Sequence, residues 1–308
     1  MSSPHSIGRF APSPSGPLHF GSLLAAIASF MQAKHKGGKW LVRIEDIDPP
    51  REVSGASATI LKQLEQHGLW WDDDVVYQSN QVGHYFEILN YLEDQYLTYN
   101  CSCTRQRLIS LKGIYDAKCH GQNLSSENTS VRLSISDSIK ATGMANDRIK
   151  FYDLIMGDYA QSLIETLGDF ILRRRDGLIS YQLAVVIDDH LQGITEIIRG
   201  FDLIDSTPRQ ILLQQCLGYK IPVYAHIPLA MNSLGQKLSK QHHARQLPQN
   251  KEQEQLWLAL NWLQQQPPTE LRACSVDDII KWGITHWDIS KIPCTTTGIS
   301  APKSFYTA

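Results

Sequence analysis

The chain is short of several features that would place it in a special class. Six cysteines among 308 residues are too few for a disulfide scaffold, so a reduced, cytoplasmic setting is expected. The N-terminus, Met-Ser-Ser-Pro-His, has no basic region followed by an apolar core, and no signal peptide is expected. The longest apolar run, Leu23–Met31 broken by Ser29, falls far below the roughly 20 residues that cross a bilayer, which argues against a membrane partner. Neither charge is in excess: 29 Lys and Arg meet 31 Asp and Glu, for a net charge of −2. The surface as a whole is therefore no polyanion binder, and any RNA contact has to come from local patches. There is no internal repeat and no long low-complexity segment. What remains is a 42% apolar chain long enough for a sizeable core and two domains.

The strongest local signal is Arg9-Phe-Ala-Pro-Ser-Pro-Ser-Gly-Pro-Leu-His19-Phe-Gly21-Ser22. Ile7–Phe10 reads as a strand, the Pro/Ser/Gly run as a tight turn, and Leu23, Leu24, Ile27, Phe30 and Met31 as one face of a helix at 3.6 residues per turn. Free backbone N–H groups and the positive end of the helix dipole make such a junction a natural anion site. His19 and Gly21 stand at its mouth, and Gly21 would let a nucleotide lie close to the backbone. After Gly37-Gly38 a strand is expected, with Trp40, Val42 and Ile44 alternating against Lys39, Leu41, Arg43 and Glu45. It runs into Glu45-Asp46-Ile47-Asp48. Carboxylates at the C-terminal end of a parallel strand lie where open α/β sheets bind ligands, although most acidic loops are simply solvated. A helix from about Ser54 to His67 turns Ile60, Leu61 and Leu64 inward and stops at Gly68. Val75–Gln78 reads as a short strand and Gln81–Tyr96 as an amphipathic helix. Trp70 and Trp71 read as packing residues, with base stacking as the alternative.

Farther on, Cys101-Ser-Cys103, Tyr115 and Cys119 lie close together in sequence. Thiolates are good zinc ligands, but C-x-C is tighter than the common C-x₂₋₄-C, so composition alone favours plain reduced thiols. Residues 125–150 are polar and irregular apart from a short strand at Val131–Ile135. Asp176-Gly177 marks a turn between two apolar runs. Val185–Ile187 fits a buried parallel strand, and another apolar run leads into Arg199. Asp188-Asp189-His190 contains metal-ligating residue types, but a structural role is favoured because neighbouring strand residues point to opposite faces. Thr207 to Gly218 reads as a helix with Thr207 as N-cap and Pro208 at its first position. Lys237-Leu-Ser-Lys240-Gln241 lies in a Gly-flanked loop. Leu256, Leu260 and Leu263 share a helix face, and 298–308 reads as a loose tail.

Taken in this order, the blocks resemble the class I aminoacyl-tRNA synthetases. His19-Phe-Gly21-Ser22 stands where that family has His-Ile-Gly-His, and Lys237-Leu-Ser-Lys240-Gln241 where it has Lys-Met-Ser-Lys-Ser. Arg9–Gly16, Glu45–Asp48 (with Ile47 in place of Thr), Leu69–Asp72 and Phe151–Asp158 resemble the glutamyl branch more narrowly, and over roughly residues 6–245 the match is to its short paralogues. The resemblance implies an α/β fold: a Rossmann-type catalytic domain (1–98 and 166–245) split by an α+β zinc-containing insertion (99–165), then a small helical region (246–308) with no anticodon-binding domain. It implies a ligase that activates L-glutamate with ATP and Mg²⁺ and transfers it to queuosine at the wobble position of tRNA(Asp). A minimal enzyme charging a tRNA 3′ end and a non-catalytic tRNA-binding relic are the alternatives.

Carried over residue by residue, the resemblance implies catalytic roles for His19, Gly21, Lys237 and Lys240, with His19, Gly21 and Lys240 at ATP. Glutamate would be held by Arg9, Ala11, Ser13, Glu45, Tyr181 and Arg199; Glu45 would take the amino group, and Arg9 and Arg199 the side-chain carboxylate, for which a guanidinium fork is suited. A structural zinc would be bound by Cys101, Cys103, Tyr115 and Cys119, with His120 as the rival for the fourth position. The family's R-G-E-D-H reads Arg199-Gly-Phe201-Asp202-Leu203 here, a departure beside the place where a terminal adenosine would meet the adenylate. A monomer is expected.

Overall fold

The computed structural model describes residues 6–111, 113–238 and 245–306. The elements run β1 (Ile7–Phe10), α1 (Phe20–His35), β2 (Lys39–Ile44), α2 (Ala56–Gln66), β3 (Val76–Tyr77), α3 (Val82–Asp94), β4 (Thr98–Cys101), α4 (Arg105–Ser110), β5 (Ser130–Leu133), α5 (Ile135–Thr142), β6 (Arg148–Asp153), β7 (Gly157–Ser162), α6 (Leu163–Thr166), β8 (Phe170–Arg173), α7 (Tyr181–Leu191), β9 (Glu196–Gly200), α8 (Thr207–Cys216), β10 (Val223–Ile227), β11 (Ala230–Met231), α9 (Glu252–Trp262), α10 (Val276–His286) and β12 (Ile299–Ser300).

Among the described residues one seven-stranded sheet, in the order β3-β2-β1-β9-β10-β6-β7, forms the catalytic body. All its pairings are parallel except the β6–β7 hairpin. The chain leaves β1 toward β2 on one side, and β9 returns on the other. The C-terminal ends of β1 and β9 therefore flank the point where strand order reverses, the place where open parallel sheets bind ligands. β2 shows how the sheet is covered. Trp40, Val42 and Ile44 pack into the layer of α1, α9 and α10, while Leu41 packs into the opposite layer with Leu183, Val186 and Ile211 of α7 and α8. Both faces are buried, as a sheet of parallel strands requires.

A three-stranded antiparallel sheet, β4-β5-β8, forms the second unit. Its strands do not respect the expected break after residue 165. The β6–β7 hairpin, placed by the sequence in the insertion, adds to the catalytic sheet through Asp153 opposite Tyr224, and β8 belongs with β4 and β5. Just before β8 the backbone of Gly168 bridges Tyr115. A Cβ there would stand 2.2 Å from the Tyr115 carbonyl oxygen, and φ is +64°, so the position admits glycine for two reasons.

Three expectations need correction. The Val185–Ile187 run is the middle of helix α7, not a strand; an unbroken apolar run carries no periodicity to separate a buried strand from a buried helix, and eleven residues favour the helix. Residues 298–306 are no loose tail: β12 pairs in parallel with β11, and Phe305, 2% exposed, stacks on Phe20 of α1 with ring centroids 4.2 Å apart. Both partners are distant in sequence, Phe20 by nearly the whole chain, so no local pattern announced them. Trp71 packs against the core as expected, but Trp70 is 60% exposed. Elsewhere β1, α2, α3 and α8 fall within a few residues of their expected positions. α5 is a helix the sequence pattern did not show. No described helix is long and apolar enough to cross a membrane.

Candidate active site

A cleft of about 690 Å³ opens over the C-terminal ends of β1, β2 and β9. Of the residues expected in the site, it is lined by Arg9, Ala11, Ser13, His19, Glu45, Tyr181, Arg199 and Lys237. They come from five separate parts of the chain and meet only because the parallel strands end together. The 11–15 loop is fixed over them: the Glu45 backbone N–H donates to the Pro12 carbonyl at 3.0 Å, and Val53 N–H to that of Pro14 at 2.9 Å.

His19 is the N-cap of α1. Its Nδ1 accepts from the Ser22 N–H at 3.2 Å, occupying one of the donors that a helix N-terminus would offer an anion. Gly21 does not line the cleft. Its place is behind the imidazole, where a Cβ would sit 3.1 Å from His19 Cε1, so the glycine serves the ring rather than an open approach for a nucleotide. Lys237 reaches the cleft and pairs with Asp202 at 2.5 Å. Lys240 and Gln241 lie outside the described residues.

At one end of the cleft is a buried cluster of charge. Arg9 Nε donates to Asp189 Oδ1 at 3.2 Å. Arg43, wholly buried, donates to the same oxygen at 2.9 Å, to Glu45 at 3.5 Å and to Gln192 at 2.6 Å, and its Nε lies 3.5 Å from Asp188. Asp188 accepts further from Gln78 at 2.7 Å and Tyr85 at 2.9 Å. Helix α7 explains why both acids reach inward: a helix turns neighbours by about 100°, so Asp188 and Asp189 share a face. His190 is exposed and stacks on Tyr219. The structural reading of Asp188-Asp189-His190 therefore stands, for a different reason from the one the sequence suggested. Burial pushes the Glu45 carboxyl up to about 7, against the pull of Arg43 and Arg9. For Asp189 burial also acts upward, but Arg9 and Arg43 outweigh it and hold the carboxyl below the usual range.

The other end is neutral in its contacts. Arg199 donates from Nε to His226 Nε2 at 3.1 Å, from Nη1 to Tyr181 Oη at 3.2 Å and from Nη2 to Thr207 Oγ1 at 2.7 Å. Because His226 Nε2 accepts, its proton is on Nδ1, which donates to Asp153 Oδ2 at 2.6 Å. Burial lowers the His226 pKa, Asp153 opposing this and Arg199 adding to it, which keeps the imidazole neutral. The sequence reading missed Arg43, Asp189, His226 and Asp153 as parts of the site. Arg43 carried a signal in its spacing, two residues before Glu45 on the same strand face, and Asp153 and Asp189 stood in stretches singled out for other reasons, whereas His226 carried none.

In the second unit the sulfurs of Cys101, Cys103 and Cys119 lie within 4.8 Å of one another. Tyr115 Oη is 3.3 Å from Cys101 Sγ and 3.6 Å from Cys103 Sγ, and accepts from the Cys119 N–H at 3.1 Å. Ligands about 2.3 Å from a tetrahedral metal are roughly 3.8 Å apart, so the spacing fits a metal ion. Burial raises the Cys119 thiol, but hydrogen bonds from Tyr115, the Ser102 backbone and the other thiols bring it down to about 6, toward the thiolate a metal requires. His120 turns away, its Nε2 2.6 Å from Asp137 Oδ2.

Residues 7–263 match the family model described as tRNA synthetases class I (E and Q), catalytic domain. A relative from Pectobacterium atrosepticum named Glutamyl-Q tRNA(Asp) synthetase is 48% identical over 93% of this chain and 86% of its own. One of the same name from Pseudomonas fluorescens is 46% identical over 97% and 96%. The crystal structure of a glutamate tRNA ligase from Elizabethkingia meningosepticum with its amino acid superposes with a TM-score of 0.76 at 24% identity, covering 98% of this chain and 68% of that one, and so shares the fold. With its parallel sheet and its cleft at the reversal point, the chain belongs to the class I tRNA synthetases of the E and Q type and is a ligase of that family.

Proposed function

We propose that the protein activates L-glutamate with ATP and transfers it to the queuosine base of tRNA(Asp). The observation that carries the amino-acid choice is the pair of guanidinium groups facing one cleft from the neighbouring strands β1 and β9, Arg9 and Arg199, with the Glu45 carboxylate lining the same cleft from the end of β2. Glutamate offers one ammonium and a side-chain carboxylate to match. Glutamine offers Arg199 only a neutral amide, which a buried cation binds far less well. The queuosine acceptor is supported by the shared name of the relatives at 46–48% identity.

In the first step a glutamate α-carboxylate oxygen attacks the α-phosphorus of ATP, and the bond to the β-phosphate bridging oxygen breaks, releasing pyrophosphate. Little proton movement is needed, so alignment and charge stabilisation carry the step. His19 at the head of α1 and Lys237 both line the cleft, and they are proposed to face the phosphates together with Lys240. Mg²⁺, when bound, neutralises phosphate charge. In the second step a hydroxyl oxygen of the acceptor attacks the adenylate carbonyl, AMP leaves, and the hydroxyl proton passes to solvent. The three cysteines and Tyr115 are proposed to hold one structural zinc.

Purified protein is incubated with ATP, Mg²⁺ and labelled glutamate, using tRNA with and without queuosine, and the product is cut to separate the anticodon loop from the 3′ end. Label in the loop only when queuosine is present is the expected result. Label at the 3′ end would make the chain a charging enzyme instead. Metal analysis should return one zinc per chain, retained less well by Tyr115→Phe than by His120→Ala; a metal-free, folded protein would remove the zinc assignment.

A further inference from the structure

A second cavity, about 260 Å³, lies at the seam between the three-stranded sheet and α8. Arg132 lines it from β5 and Arg209 from the first turn of α8, with Tyr115, Asp169 and Gln182 beside them. Arg132 is only 4% exposed. Its guanidinium lies 3.9 Å from the centroid of the Tyr115 ring and donates one hydrogen bond, to the Asp169 carbonyl at 2.7 Å. The Nε atoms of Arg132 and Arg209 are both shut from solvent without an acceptor.

Among the described residues neither guanidinium has a carboxylate within ion-pair distance. The nearby acids are turned to other work. Asp169 accepts from Tyr99 Oη at 2.6 Å and from the Ile135 N–H at 2.8 Å, and Asp205 from Tyr159 Oη at 2.6 Å. Burial pulls the Arg209 pKa below its ordinary value, with Asp205 as the opposing charge. Arg132 is buried and Arg209 partly so, and two cations sharing a cavity with no carboxylate in ion-pair contact make a costly arrangement unless an anion is supplied from outside.

The cavity is also well placed. Gln182, which lines it, follows directly on Tyr181, which lines the active-site cleft, so the two sites lie on either side of the start of α7. Gln182 is itself held by Ser206 at 3.1 Å and Gln210 at 3.1 Å. We propose that this cavity is a phosphate subsite, holding one backbone phosphate of the RNA acceptor while its reacting nucleoside enters the cleft. Phosphate suits it because two guanidinium forks can each engage the non-bridging oxygens. The two arginines come from different units, so a bound phosphate also ties the cysteine-bearing sheet to the catalytic body. The proposal rests on RNA being the acceptor and is indifferent to which nucleoside reacts.

Arg132 stacks on Tyr115 and its loss could disturb folding, so the test uses Arg209→Gln in the full chain. Wild type and variant are compared in glutamate-dependent ATP–pyrophosphate exchange, in transfer to queuosine-containing tRNA(Asp), and in filter binding of that tRNA across a salt series. The variant should raise the KM for tRNA about tenfold, in keeping with loss of one charged hydrogen-bonding contact. The slope of log affinity against log salt should become shallower by about one. Exchange and the glutamate KM should not move, and Arg209→Lys should recover part of the loss. Unchanged tRNA KM and salt slope in Arg209→Gln would overturn the proposal. So would intact tRNA binding in a variant that, by calorimetry, has lost binding of added inorganic phosphate, which would make the cavity a free-phosphate site. If wild type transferred no glutamate to RNA, the functional reading would fail, while filter binding would still decide the subsite.

Discussion

Arg9 and Arg199 face the same cleft from neighbouring strands, yet they are held in opposite ways. Arg9 meets a carboxylate, Asp189, which it shares with the buried Arg43. Arg199 meets an imidazole, a phenol and a hydroxyl, and the Asp153 carboxylate stands one residue removed behind His226. The charge of Arg9 is therefore largely compensated within the protein, and that of Arg199 is oriented without being neutralised. A guanidinium with neutral acceptors keeps its attraction for an incoming carboxylate, whereas one already in an ion pair chiefly shapes the wall. If both line the glutamate site as proposed, Arg199 should carry the larger share of side-chain recognition and Arg9 a larger share of stability.

Five changes would break or sharpen that contrast. The largest effect is expected from Asp189→Asn, which leaves Arg9 and Arg43 short of their shared anion and should cost about 3–5 kcal/mol of stability in chemical denaturation. The Asp189 pKa is lowered on folding, so its contribution is present above the ordinary carboxylate range and lost as pH falls through the lowered value. Next, Arg199→Gln should reduce kcat/KM for glutamate about a hundredfold, by loss of a buried charge-assisted contact, and shrink the preference for glutamate over glutamine, with little change in melting temperature. An equal loss from Arg9→Gln at unchanged stability would dissolve the distinction between the two arginines.

His226→Asn should raise the glutamate KM about tenfold and leave kcat nearly unchanged, since it loosens Arg199 without touching substrate. A lower melting temperature with an unmoved KM would reduce His226 to a packing residue. The smallest effect at neutral pH belongs to Glu45. Its carboxyl is raised to about 7, and an ammonium partner needs it ionised. In the free enzyme log kcat/KM for glutamate should therefore climb with pH until about 7 and then level, costing about twofold at the midpoint. Glu45→Gln should be slower and lack that limb. Glu45 ionises against its burial, so its contribution to folding falls as pH rises toward 7, opposite in sign to that of Asp189.

Much of the site could be read from the chain because the motif residues are short-range markers of strand ends. His19 heads a helix whose apolar face is plain in the sequence, and Glu45 closes a strand bounded by Gly38. Arg43, Asp189, His226 and Asp153 could not be found so easily. Each supports a site residue through a contact formed across the sheet, and the α7 run that carries Asp189 has no periodicity to mark it as a helix. The mistaken strand put Asp188 and Asp189 on opposite faces, which hid the cluster they form with Arg43.

The sequence by itself determined which residue types are available and where strands and helices begin: the turn from Phe10 to His19, the carboxylate after β2, the guanidinium at the end of β9, and the cysteines around Tyr115. Those follow from local chemistry, from glycine and proline at turns and from apolar spacing along each element. Only the tertiary structure decided how the charges are shared. It gave Asp189 to both Arg9 and Arg43, set a neutral His226 beneath Arg199, turned His120 toward Asp137, and folded Phe305 back onto Phe20. Pairing of buried polar groups depends on which atoms come within about 3 Å after the chain has packed, and that distance is fixed by partners far apart in sequence.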